Sequence, residues 1–173
     1  MLFEDESCFG RISDHRRCWG PLPHRPEAGQ QVVREFVHAL AAVSPHDGSL
    51  ACLIMPWLDT EIMSIFLAYT AQEFSGDFCL MFLDGAGWHR ANDLRVPPSM
   101  KLLFLPPYSP ELNPVEGVWE HLRENYFANR VFDTLEQLEK RLCQALNHLI
   151  NHPDMVRSMT NFHWLNTLCL MYN

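Results

Sequence analysis

The chain has 173 residues, of which 47% are apolar and 20% charged, and its formal net charge is −8. That length makes one domain at roughly 100–200 residues each, and that composition excludes global disorder. The acidic balance excludes nucleic-acid binding by bulk positive charge, but leaves room for a basic patch or for metal ions on an acidic cluster.

The N-terminus, Met1-Leu2-Phe3-Glu4-Asp5-Glu6, has neither the cationic nor the apolar region of a secretory signal. The longest apolar run, Leu50 to Leu58, is far short of the ~20 residues a membrane helix needs. A soluble, cytoplasmic protein without a membrane partner is expected. Six cysteines, at 8, 18, 52, 79, 143 and 169, form no C-x-x-C pair. Cys52 and Cys79 lie in apolar runs and read as small, reduced core residues. Cys8, His15, Cys18 and His24 match no standard zinc finger or ribbon spacing.

In chain order, Leu2-Phe3-Glu4 reads as a short first strand ending at Asp5. Glu6 to Gln31 lacks periodicity and is rich in Arg, His, Gly and Pro, which predicts a long loop or distorted hairpin. Val32 to Val43 interleaves Val and Phe with polar residues and suits a strand. Ser44-Pro45-His46-Asp47-Gly48 is a turn, and Ser49 to Met55 is its partner strand. Asp59 is a helix N-cap, followed at mostly helical spacing by Ile62, Ile65, Phe66, Tyr69 and Phe74; Ser75-Gly76-Asp77 ends that helix. Phe78 to Leu83 is a continuous apolar run, as in a strand buried on both faces, and Asp84-Gly85-Ala86-Gly87 breaks it. Lys101 to Leu105 is a second buried strand, closed by Pro106 and Pro107.

Asn113-Pro114-Val115-Glu116 is a helix start, with a capping Asn, Pro at the first turn and Glu three residues after the cap. Val115, Val118, Trp119, Leu122 and Tyr126 make its apolar stripe. A second helix begins near Asp133, with Leu135, Leu138, Leu142, Leu146 and Leu149 on one face, and ends at Pro153. A last helix is predicted from Asp154 to about Leu170. This order implies an α/β fold: a mixed five-stranded sheet with helices on both faces.

Ligand sites in open α/β sheets lie beyond the C-terminal ends of strands. Asp5 and Asp84 each end a predicted strand, and Glu116 sits in the first turn of the helix after the next one. If these elements are neighbours, three carboxylates converge. Two charges ~4 Å apart cost about 4 kcal/mol at an effective dielectric near 20. Hard divalent cations such as Mg²⁺ or Mn²⁺ remove that cost. Simpler readings stand beside this one. Glu116 closes a capping box with Asn113, Asp84 is an ordinary turn residue, and Asp5 belongs to a solvated acidic run.

The run Leu105-Pro106-Pro107-Tyr108-Ser109-Pro110-Glu111-Leu112-Asn113-Pro114-Val115-Glu116 closely resembles the segment carrying the third acidic residue in transposases of the mariner superfamily, nearest to the bacterial insertion-sequence branch. Phe82-Leu83-Asp84-Gly85-Ala86-Gly87-Trp88-His89 resembles the segment carrying the second, and Phe3-Glu4-Asp5-Glu6-Ser7 the first. The resemblance covers nearly the whole chain. It implies an RNase H-like fold over residues 1–173 and a catalytic and metal-binding DDE triad of Asp5, Asp84 and Glu116. It also implies Mg²⁺ or Mn²⁺, as two ions ~3.5–4 Å apart, and in-line attack on DNA phosphodiesters by water in cleavage and by a 3′-hydroxyl in strand transfer.

The implied partners are transposon-end and target DNA, with a homodimer in the active complex. Family members carry an N-terminal helix-turn-helix region that reads the element's ends. The sequence shows none, and its first strand reads as clipped. A separate helix-turn-helix chain, or a remnant acting only as a DNA- or protein-binding module, is therefore the alternative to an active transposase. A nuclease acting on RNA–DNA hybrids is disfavoured by the Pro-Tyr-Ser-Pro segment. The DNA-contact candidates are His89, five residues after Asp84, and Arg16, Arg17 and Trp19, with Arg11 and Arg25, in the long loop. For His89 a structural role, and for Trp19 packing on the sheet, are the competing readings. Glu111 reads as solvated.

Overall fold

The computed structural model describes residues 1–165. Five strands form one sheet: β1 (Leu2–Ile12), β2 (Val32–Val43), β3 (Leu50–Met55), β4 (Cys79–Leu83) and β5 (Met100–Phe104), in the spatial order β3-β2-β1-β4-β5. The first three are an antiparallel meander, while β1–β4 and β4–β5 are parallel. The helices are α1 (Thr60–Glu73), α2 (Val115–Leu122), α3 (Leu135–Ile150) and α4 (Pro153–Thr160). Helix α2 runs on into a single π turn, Arg123–Phe127.

The mixed sheet with helices on both faces is as expected, but the first strand is not. β1 does not stop at Asp5. It continues to Ile12, and β2 pairs with it from Val43 back to Val32. The run Glu4-Asp5-Glu6 hides this strand, because acidic side chains stand where apolar ones would mark it. The irregular part is only the stretch between Ile12 and Val32. Its base is closed by Ser13, whose backbone N–H donates to the Gln31 carbonyl at 2.9 Å and whose Oγ accepts from the Gln31 N–H at 2.7 Å.

Strand alternation sends successive β1 side chains to opposite faces. Phe3 and Phe9 pack with Val118, Trp119 and Leu122 of α2, Leu142 and Leu146 of α3 and Val156 of α4. Leu2 packs on the other face with Leu40, Met81, Leu83 and α1. The leucine stripe of α3 is buried at 138, 142, 146 and 149, and each such side chain contributes about 2 kcal/mol. Helix α1 is rotated from its expected setting. Asp59 caps it as predicted, its carboxylate accepting from the Ile62 N–H at 2.9 Å. Its buried side chains include Ile62, Met63, Phe66 and Leu67, and Ile65 is exposed. The predicted last helix ends at Thr160 with Pro153 in its first turn, short of the expected Leu170, because the chain leaves the helix at Asn161 and Phe162; the expected part beyond residue 165 lies outside the described residues. Among the described residues, no helix is long and apolar enough to cross a membrane.

Gly48 joins β2 and β3 with φ at +79°, and a Cβ there would stand 1.9 Å from the Pro153 carbonyl oxygen. Gly76 ends α1 with φ at +104° in open space. Both positions strain an L side chain, but only Gly48 also meets backbone. Gly76→Ala should cost about 1 kcal/mol and Gly48→Ala more than about 2 kcal/mol, because α4 must move. Urea unfolding of the two variants checks the order.

Candidate active site

The site starts from the register of β1 against β4. Leu2 stands opposite Met81 and Phe3 opposite Phe82. Carried on by two residues, that register sets Asp84 level with Asp5. Beyond Phe3, β1 loses β4 as a neighbour, and a crevice opens at the C-terminal end of β4. The backbone N–H of Leu105 donates to the Leu83 carbonyl at 2.8 Å, holding the proline loop on the far side of the crevice.

Asn113 delivers α2 to that crevice. Its Nδ2 donates to the Glu4 carbonyl at 2.9 Å, and its Oδ1 accepts from the Val115 N–H at 3.2 Å. A buried amide thus ties the helix start to the central strand. The capping box does not form, because the Asn113 N–H donates to the Pro110 carbonyl at 2.9 Å. Glu116 is exposed instead and lines the crevice. One turn further, Trp119 Nε1 donates to Asp5 Oδ2 at 2.9 Å.

Asp5, Asp84 and Glu116 all line one cleft of about 480 Å³, with Arg90 and the loop Leu105–Pro110 around it. Burial, then the nearby Glu116 and Glu6 charges, push the Asp5 carboxyl up to about 7, against the hydrogen bonds from Trp119 and the Glu6 N–H. Asp84 is turned partly away. Its Oδ1 accepts from the Ala86 N–H at 2.8 Å and lies 2.9 Å from His89 Nδ1. Asp5, Asp84 and Glu116 share the cleft without all closing to 4.8 Å of one another; among the described residues, the set that does so is Glu4, Glu6 and His89.

His89 is 2% exposed, so it cannot meet a DNA phosphate as expected. Its Nε2 lies 2.8 Å from Glu6 Oε1, and Trp88 Nε1 donates to the same oxygen at 2.6 Å. Burial works to lower its pKa, but Glu6 and then Asp84 outweigh it and hold the imidazole above its usual value. Burial, then Glu6, Asp5 and Asp84, raise the Glu4 carboxyl well above the carboxylate range.

The loop candidates divide. Arg16 is paired with Asp14 at 3.2 Å and with Glu120 at 2.9 Å. Arg11 is spent on Glu35 and on the Phe132 and Asp133 carbonyls. Arg17 is exposed, and Trp19 is fully exposed rather than packed on the sheet. Two rim residues went unnoticed in the sequence. The Arg90 guanidinium lies 4.7 Å from the Phe104 ring centroid beside Gly85, which has no Cβ to displace it. Tyr108, at φ +57°, holds a fully exposed ring at the cleft mouth. The sequence signal for Tyr108 was its place in the Pro-Pro-Tyr-Ser-Pro run; its positive φ shows only in the fold.

The family model of the DDE superfamily endonucleases matches residues 1–139. A protein of Sinorhizobium fredii (strain NBRC 101917 / NGR234), named only as uncharacterized protein y4pE/y4sA, is 38% identical over 130 residues, which is 75% of this chain and 96% of that protein. The fold is similar to the Mos1 transposase paired-end complex with left transposon end, at TM-score 0.60 and 12% identity over 93% of this chain and 55% of that chain. It is equally similar to the Mos1 mariner paired end complex with Mn, at TM-score 0.60 and 12% identity over 93% of this chain and 56% of that chain. The likeness establishes an RNase H-like fold, and the chain spans little more than half the length of those Mos1 chains.

The Asp5 carboxyl makes stability depend on pH. An unfolded Asp at the ordinary 3.8 releases its proton before the folded one at about 7, so its contribution is present below 3.8 and is lost as pH rises through 7. The upper bound is about 4 kcal/mol. With chelator present, the melting temperature should fall from mildly acidic to mildly alkaline pH, and Asp5→Asn should flatten that fall and stabilise the protein at the alkaline end. An Asp5→Asn variant with an unchanged slope would contradict the electrostatics described.

Proposed function

We propose a function on one premise: the chain belongs to the DDE superfamily of endonucleases. We infer that it is the catalytic domain of a transposase, cutting DNA strands and joining them by attack on phosphodiesters. The observation that carries this reading is the convergence of Asp5, Asp84 and Glu116 on one cleft, from β1, the end of β4 and the first turn of α2.

These residues fit a divalent metal. Their donors are all carboxylate oxygen, which suits Mg²⁺ or Mn²⁺, and burial beside the Glu116 and Glu6 charges makes Asp5 hold its proton to about 7. When bound, such ions neutralise the phosphate and lower the pKa of the attacking oxygen's proton. The chain's own residues do the rest. Trp119 fixes the Asp5 carboxylate through Oδ2 at the lining of the cleft. The Ala86 N–H and His89 fix Asp84 likewise. Arg90 at the rim meets a phosphate, and the exposed Tyr108 ring offers a base a stacking surface. Transposon-end and target DNA, and a second copy of the chain in the active assembly, belong to this proposal.

Nicking of supercoiled plasmid tests it. Wild type should nick with Mg²⁺ or Mn²⁺ and not with chelator. Asp5→Asn, Asp84→Asn and Glu116→Gln should each fall by at least about 100-fold while still melting cooperatively. A folded wild-type chain that binds DNA but never nicks it would leave only the non-catalytic binding module.

DNA affinity should be salt-sensitive and indifferent to sequence, because the free cations contact phosphate. Arg17→Ala and Trp19→Ala should weaken it uniformly across sequences, and Arg16→Ala should not, since Arg16 is already held by Asp14 and Glu120. Fluorescence anisotropy at several salt concentrations separates the three variants.

A further inference from the structure

Behind the cleft, on the opposite face of β1, lies a second group of ligating side chains. Glu4 and Glu6 alternate with Asp5 and so point away from α2. With His89 they bring three ligand atoms within 4.8 Å of one another. Glu4 is completely buried, and neither of its carboxylate oxygens has a hydrogen-bond partner. A buried carboxylate without partners costs several kcal/mol unless it takes up a proton or something positive meets it.

The surroundings of His89 say where that positive group belongs. A neutral imidazole carries one N–H and one lone pair. Nδ1 faces two Asp84 oxygens, the carboxylate at 2.9 Å and the backbone carbonyl at 3.2 Å, so it carries the hydrogen. The Nε2 lone pair then looks at Glu6 Oε1 at 2.8 Å and Glu4 Oε2 at 3.4 Å. A lone pair facing two carboxylates needs a proton or a metal ion between them. A proton on Nε2 would satisfy Glu6 but leave both Glu4 oxygens unpartnered, whereas a metal ion satisfies all three groups.

We propose that Glu4, Glu6 and His89 hold one divalent first-row transition ion of the zinc class, at a site separate from the Asp5, Asp84 and Glu116 cleft. One imidazole nitrogen with two carboxylates suits Zn²⁺ or Co²⁺, while Mg²⁺ prefers oxygen alone. Tetrahedral bonds of ~2.0–2.1 Å set neighbouring ligands about 3.4 Å apart. His89 Nε2 and Glu4 Oε2 already stand at 3.4 Å, and Glu6 Oε1, at 2.8 Å, needs to withdraw by roughly half an ångström. The outer partners are in place: the Asp84 carboxylate accepts from Nδ1–H, and Trp88 Nε1 donates to Glu6. Three protein ligands leave the fourth tetrahedral position to a water molecule, and the site ties β1 to the segment after β4.

Co²⁺ titration of chelator-stripped protein in excess Mg²⁺ tests the site. Wild type should take up one Co²⁺ with visible absorption of a tetrahedral ion. His89→Gln and Glu6→Gln should weaken that uptake at least about tenfold, and Asp5→Asn and Glu116→Gln should leave it unchanged. Absence of the absorption in wild type, or its persistence in His89→Gln, would overturn the proposal. Should the buried variants not fold, anomalous diffraction from wild-type crystals grown with Zn²⁺ decides. A peak between Glu4, Glu6 and His89 supports the site, and no peak there refutes it. Neither outcome depends on DNA cleavage.

Discussion

The structure turns on three consecutive carboxylates, Glu4-Asp5-Glu6, in the central strand of the sheet. A central strand normally gives both faces to the core. Here apolar packing stops after Phe3 on one face, where it resumes at Phe9, and after Leu2 on the other. Buried charge must be answered locally, because the interior screens poorly. The pleat divides the problem in two. On the α2 face Asp5 is met by the Trp119 indole and opens to a cleft. On the α1 face Glu6 is met by Trp88 and His89, and Glu4 by no hydrogen bond at all.

That constraint explains the placement of the helices. Helix α2 must come close enough for its Trp to reach Asp5, and Asn113 holds its start against the Glu4 carbonyl. Gly117 allows the approach from behind, since a Cβ there would lie 2.9 Å from the Met159 carbonyl oxygen of α4. The same approach brings Glu116 toward Asp5, and the charge it adds helps raise the Asp5 pKa. Packing on one side of α2 therefore sets the electrostatics on the other. His89 couples the two faces in turn, because one ring nitrogen holds Asp84 and the other faces Glu6.

The long loop between Ile12 and Val32 shows how composition misleads. Its arginines read together as one positive surface. In the fold they divide by what lies opposite. Arg11 and Arg16 neutralise carboxylates and anchor the loop, and Arg17 remains exposed beside a fully exposed Trp19.

Much of the architecture was legible in the sequence, because strands β2 to β5, the Asp59 cap and the leucine stripe of α3 are local patterns whose period reports what each element buries. So was the family, since the Pro-Pro-Tyr-Ser-Pro run and the short segments around Asp5, Asp84 and Glu116 are each signals carried by consecutive residues. The extent of β1 was not legible, because a strand that carries a site breaks the alternation that would reveal it. Nor was the direction of Asp84, the burial of His89, the exposure of Ile65 or the pairing of Arg16. Most of these depend on a partner far along the chain, such as Glu6 for His89 or Glu120 for Arg16. Local sequence determines which face an element must bury, but only the assembled sheet decides which charge meets which, because that is set by register and by the closeness of helix to strand.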